Sequence, residues 1–237
     1  PTAANNTVTI NEDATKTFAA SDFNFADVDS DSLSSIKIIS LPGSGALTLS
    51  GSDVSQDQTI AAADIANLVY TPVANGNGDP YTTFQFKVND GTADSASAYT
   101  MTVDVTPVND APTVSTAAVD PSVDEATDAS AQALNESGTI TFADAEDTNL
   151  TITGAASATV TAGSGVSVPS DLQTALAAAF SATDNNDNTA GWTLNATGLD
   201  LDFLAEGQTI TLAYVVTATD DNGASVTDTI TATITGT

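Results

Sequence analysis

Short runs of two-residue alternation, each closed by a turn signal, constrain this chain more than any other feature. Thr7-Val8-Thr9-Ile10, Ser35-Ile36-Lys37-Ile38-Ile39, Phe84-Gln85-Phe86-Lys87-Val88 and residues 99–105 carry the pattern in the first half. Residues 139–142, 150–153, 209–214 and 229–234 carry it in the second. Successive side chains of a strand point to opposite faces, so each run buries one face and wets the other. Pro42-Gly43, Asn77-Gly78, Asp90-Gly91 and Asn222-Gly223 supply turns between runs. Many short antiparallel strands at this spacing predict a sandwich or a barrel. Two stretches break the period. Residues 61–68 predict a turn or two of helix, and residues 171–180 predict a longer one capped by Ser170 or Asp171. In a sheet protein such pieces serve as crossovers.

Apolar residues make up 41% of the 237, which is enough for a core, but aromatics are only 5%, so aliphatic packing must dominate. No apolar run approaches the roughly 18 residues that a helix needs to cross a bilayer, so membrane insertion is not expected. The chain starts at Pro1 without a signal peptide and reads as a segment of something longer.

Charge sets the chemistry. The chain holds 31 Asp and Glu against three Lys and no Arg, a formal charge of −28, with no His and no Cys. Without His or Cys it lacks the usual zinc ligands and the usual neutral-pH base. Its charge repels nucleic acid. The acids gather in clusters: Asp27-Val28-Asp29-Ser30-Asp31, Asp144-Ala145-Glu146-Asp147 and Asp220-Asp221. Clustered oxygens with almost no cations to pair with suit a hard divalent ion, and Ca²⁺ takes six to eight oxygen ligands. The competing reading is a solvated, salt-adapted surface.

The clusters keep a phase. Phe25-Ala26-Asp27-Val28-Asp29 aligns with Phe142-Ala143-Asp144-Ala145-Glu146. The strand running from Phe84 to Asp90 aligns with that from Tyr214 to Asp220, and Glu12 aligns with Glu125. This is an internal repeat. Between the copies lies Pro107-Val108-Asn109-Asp110-Ala111-Pro112, whose prolines hold a linker extended. The expected domains are residues 1–110 and 111–237.

These motifs resemble bacterial cadherin-like repeats, and the second half resembles the VCBS repeat of large secreted adhesins. The stretch from Leu199 through Asp202, Phe203 and Glu206 to Asp220-Asp221-Asn222-Gly223 carries the VCBS likeness. The resemblance implies an all-β fold of two tandem Ig-like/cadherin-like Greek-key β-sandwiches with short helical crossovers. It also implies calcium between successive domains. The implied ligands are Glu12 and Glu125 near each first strand, and Asp27/Asp29 and Asp144/Glu146 in a turn. Asn109 and Asp110 come from the linker, Asp90 and Asp220 from a second turn, and Asp202 and Glu206 from a further acidic pair. Pro107 and Ala111 stand where the family's linker carries Asp and Asn, which implies fewer ions. The first half has Pro72 in place of the acidic pair, with Asn75 or Asp79 as weak substitutes.

If domains stack end to end, Glu12, Asn109, Asp110, Asp144, Glu146 and Asp220 meet around one or two ions. Asp27-x-Asp29-x-Asp31 opens like an EF-hand, but Ser32 replaces the turn glycine and Ile38 the bidentate Glu, so that reading fails. Asp184-Asn185-Asn186-Asp187-Asn188 reads as a polar loop. Carboxylate pairs are expected by chance among so many acids, and Trp192 sits in an apolar alternation, so hydrolase chemistry is not expected. The expectation is a calcium-rigidified extender of a bacterial surface adhesin, secreted, non-catalytic, partnered by neighbouring repeats of its own polypeptide. Glycan or homotypic protein contacts are further candidate partners. The alternative is a calcium-dependent carbohydrate- or protein-binding module.

Overall fold

The structure is a computed structural model that describes residues 1–126 and 131–237. It divides into two compact units, Pro1–Val108 and Asn109–Thr237. Asn109 and Asp110 thus belong with the second unit.

The first unit contains β1 (Asn6–Asn11), β2 (Lys16–Thr17), β3 (Ser35–Ile38), β4 (Ala46–Leu49), β5 (Ser52–Asp53), β6 (Thr59–Ala61), β7 (Leu68–Thr71), β8 (Gly78–Asn89) and β9 (Tyr99–Thr106). One sheet has the order β1-β9-β8-β3-β6 and the other β2-β7-β4-β5. The first strand runs parallel to the last, with Asn6 opposite Met101 and Asn11 opposite Thr106. A 3₁₀ helix at Ala62–Asn67 carries the chain from β6 in one sheet to β7 in the other. The alternation of β8 buries Phe84, Phe86 and Val88 between the sheets. Phe18 meets Phe84 edge-on at 5.7 Å, and Phe23 meets Phe86 edge-on at 4.9 Å. A few aromatics in T-shaped contact thus anchor an otherwise aliphatic core.

The second unit repeats the scheme with β10 (Thr113–Thr116), β11 (Ser122–Asp124), β12 (Gln132–Ala143), β13 (Thr151–Gly154), β14 (Thr159–Ala162), β15 (Phe180–Asp184), β16 (Thr189–Leu199), β17 (Thr209–Thr219) and β18 (Ser225–Thr235). The sheets are β10-β12-β16-β15 and β11-β18-β17-β13, with β14 also on β17. β11 again runs parallel to the last strand. Ile210, Leu212, Tyr214, Val216 and Ala218 alternate inward along β17. Each fully buried aliphatic side chain of Leu, Ile or Val size among them contributes about 1.5–3 kcal/mol.

Helix α1 (Ser170–Ala177) crosses from β14 to the opposite sheet, as a crossover should. Two details differ from the sequence reading. Pro169 occupies the N-cap, where Ser170 or Asp171 was expected, so Ser170 is already helical. The helix also stops at Ala177 rather than reaching Phe180. Phe180 instead opens β15 opposite Leu194 and stacks on Tyr214 at 5.1 Å, because burying its ring in the sheet outweighs extending a short helix. Asn222-Gly223 falls where its turn was expected and closes the β17–β18 hairpin.

Candidate functional site: carboxylate turns at one end of the second unit

β12 ends at Ala143 and the chain turns at Asp144. Asp144 Oδ1 accepts the backbone N–H groups of Glu146 at 3.0 Å and Asp147 at 2.9 Å, an Asx turn that fixes this loop. β17 ends at Thr219, and Asp220 shapes the hairpin that follows. Asp220 Oδ1 accepts the N–H groups of Asn222 at 2.9 Å and Ala224 at 2.8 Å. The two turns are tied together by Asp221 N–H donating to Asp147 Oδ2 at 2.8 Å.

Residues 109 and 110 close over them. Asn109 Nδ2 donates to Asp220 Oδ2 at 2.8 Å, and Asp110 N–H donates to Glu146 Oε2 at 3.0 Å. Asn222 Nδ2 in turn donates to Asn109 Oδ1. Donation from the Asn109 amide is the chief reason that the Asp220 carboxyl is held below the usual carboxylate range, with the turn's own N–H groups adding to it. Asp220 is 5% exposed.

Two oxygens of this group stand apart. Asp110 Oδ2 and Asp144 Oδ2 are both buried and accept no hydrogen bond. A buried, unpaired acceptor costs about 1–3 kcal/mol, and more when it is charged. No Lys, Arg or His exists anywhere in residues 109–237 to pair with them. The donor set of carboxylates and amide oxygens has the chemistry of a hard-cation site. Among the described residues, however, no group of three or more Asp, Glu, His or Cys side chains is already arranged to hold a metal ion. Glu146 and Asp220 have oxygens turned to N–H donors instead.

The first unit carries the same two turns. Asp27 Oδ1 accepts the N–H groups of Asp29 at 2.8 Å and Asp31 at 3.3 Å. Asp90 Oδ1 accepts those of Thr92 at 2.7 Å and Ala93 at 2.8 Å. Both carboxyls sit below the ordinary range, mainly through those backbone donors. Asp29 is exposed and contributes its N–H to the turn rather than its carboxylate.

Glu12 and Glu125 hold equivalent places in the two units. Glu12 is 3% exposed. Its Oε1 accepts Val108 N–H at 2.6 Å and its Oε2 the side chain of Asn77 at 3.1 Å. Glu125 Oε2 accepts Thr237 N–H at 3.2 Å. Each glutamate thus ties the strand before it, β1 or β11, to the residue two beyond its unit's last strand. Asp202 and Glu206 are exposed in the loop before β17. The eleven residues of β17, roughly 35 Å, separate that loop from Asp220. Glu125, Asp202 and Glu206 therefore do not join Asp144, Glu146 and Asp220.

Other features went unread in the sequence. Asp147, Asp221 and Asn222 hold the two turns and the linker together, and the clusters Asp144–Asp147 and Asp220–Asn222 contained that signal. Asp104 on β9 has a buried oxygen without a hydrogen bond, and burial followed by the nearby Asp79 pushes its carboxyl up. An outward Asp in an alternating strand gave no hint of this. The loop 184–188 is a tight turn whose Asp184 and Asn188 accept the N–H groups of Ile152 and Leu150. Trp192, by contrast, is buried as its apolar alternation implied, so it offers no exposed aromatic platform.

Residues 1–106 match the family model of the bacterial Ig domain. Among curated proteins no sequence matches the chain. Of solved structures, Drosophila N-cadherin EC1-4 is similar at 13% identity with a TM-score of 0.46, over 98% of this chain and 49% of that one. Human mucin-like protocadherin EC1-2 gives 13% and 0.42, over 98% and 97%. The titin domains z1z2, solved in complex with telethonin, give 13% and 0.35, over 100% and 95%. Among the described residues no helix is long and apolar enough to cross a membrane.

Proposed function

We propose that this chain is a pair of extracellular spacer modules whose second unit binds Ca²⁺ at the Asp144 and Asp220 turns, and that it serves a bacterial surface adhesin without catalysis. The reading is carried by the two buried carboxylate oxygens that lack a partner, Asp110 Oδ2 and Asp144 Oδ2, in a unit with no cationic side chain. Asp110, Asp144, Glu146 and Asp220 would hold the ion, with Asn109 supplying an amide oxygen. The ion would supply the positive charge that this group lacks. Asn109 and Asp110 follow directly on Pro107 and Val108, so binding them to the second unit's turns restrains the linker. The bacterial Ig match over residues 1–106 supports the surface setting. Asp27, Asp29, Asp90, Glu125, Asp202 and Glu206 would serve further sites that neighbouring repeats complete.

Glu146 and Asp220 would have to turn from their N–H donors to serve as ligands, so affinity in the range of extracellular modules, about 10⁻⁴–10⁻³ M, is expected. At about 100 times the dissociation constant the second unit gains about 2.7 kcal/mol. Calorimetry of the intact chain in excess calcium and in chelator tests this. A calcium-dependent rise in the second unit's melting temperature, with a narrower distance distribution between labels on the two units, is the expected result. Identical melting and identical distances in both buffers would end the proposal.

A further inference from the structure

A cavity of 360 Å³ opens on the second unit between α1, the end of β16 and the following loop. That volume lies within the ligand-pocket range of about 300–1,000 Å³. Leu172 and Ala175 of the helix and Leu199 and Phe203 beyond it form its apolar wall, and Asp171 and Asp200 stand on its lining. Both acids are exposed. Asp200 accepts Asp202 N–H through Oδ1 at 3.3 Å, which leaves its second oxygen available to a ligand. Asp171 has no ion-pair partner among the described residues. The three lysines of the chain, Lys16, Lys37 and Lys87, all belong to the first unit. The cavity therefore pairs an apolar floor with uncompensated negative charge, in a unit that cannot neutralise it from within.

We propose that this cavity receives a lysine side chain from a partner protein. A lysine stem buries its methylenes along apolar surface while its ammonium stays at the wet rim, which matches the cavity's division into floor and acids. An arginine fork suits a bidentate carboxylate better than two separate acids. Each exposed ion pair adds only a small increment, so one engagement is weak, and affinity grows where several repeats are engaged at once. The site is separate from the Asp144 and Asp220 turns and does not rest on the calcium reading.

The test uses the intact chain in saturating calcium and a capped Gly-Lys-Gly peptide, followed by amide chemical shifts of Ala175, Gly198 and Leu199. Saturable shifts confined to these residues are expected, about fivefold weaker for the norleucine peptide, which keeps the stem and lacks the charge. Ala175→Trp, at an exposed helix position, fills the cavity and should abolish them, and Asp200→Asn should weaken them. Equal binding of the norleucine peptide would overturn the proposal in favour of an apolar occupant. Equally tight binding of 1,5-diaminopentane would overturn it in favour of a free polyamine. Shifts spread over acidic surfaces, or retained in Ala175→Trp, would show counterion binding and overturn it as well.

Discussion

Replacing Asp144 by Asn should have opposite consequences with and without calcium. In the free protein the amide oxygen of the new side chain takes the place of Oδ1 and still accepts the N–H groups of Glu146 and Asp147, so the Asx turn persists. The substitution removes one negative charge whose second oxygen is buried without a partner. Stability in chelator should therefore hold or rise. In calcium the substitution removes a ligand. At a free concentration of about 100 times the wild-type dissociation constant, the wild-type chain gains about 2.7 kcal/mol. A hundredfold weaker variant at the same concentration gains only about 0.4 kcal/mol. The second unit has roughly 130 residues, and unfolding entropy near 2.1 cal/mol/K per residue gives about 0.27 kcal/mol per degree. Calcium should then raise the melting temperature by about 10 °C in the wild type and about 1.5 °C in the variant. Calorimetry across a calcium titration reads both. A variant that loses stability in chelator, or keeps the full calcium increment, would refute the argument.

Glu12→Ala should destabilise the first unit by about 1.5–3 kcal/mol, since it strips a charged acceptor from Val108 N–H. Glu12→Gln should recover part of this in urea unfolding. Leu212→Ala should cost the second unit about 2–5 kcal/mol and leave the first unit's transition in place, as fits a fully buried side chain in a separate core. Gly154→Ala should also weaken the second unit, because a Cβ there would collide with the hydroxyl of Tyr214, and calorimetry would register a lower melting point. Burial raises the Tyr70 hydroxyl to about 12 from an ordinary 10. The folded first unit thus holds that proton longer than the unfolded chain. The associated stability is full below pH 10 and lost as pH climbs to 12. Alkaline melting should show this loss, and Tyr70→Phe should remove it at the expense of the hydrogen bond to Ser44.

The fold was largely legible because period-2 burial is written directly in residue order. The strands from Thr7, Phe84, Thr209 and Thr229 formed where the alternation placed them. Phe180 misled because Ala-rich sequence before it favours helix locally, while its ring is claimed by Tyr214 and Trp192 in the sheet. The repeat's carboxylate turns were legible because an Asx turn is a local device that needs only its Asp and the following N–H groups. The separation of Asp202 and Glu206 from Asp220 was not, since it depends on which end of β17 each loop joins. The raised carboxyl of Asp104 was not legible either, since it comes from burial of one oxygen and then from Asp79, which is remote in sequence.

Anomalous diffraction from crystals grown in calcium would locate the ion itself. An ion about 2.3–2.6 Å from oxygens of Asp110 and Asp144 is expected, with Glu146 or Asp220 turned to join them. A structure in millimolar calcium in which Asp110 Oδ2 and Asp144 Oδ2 face only water or protein donors would contradict that expectation.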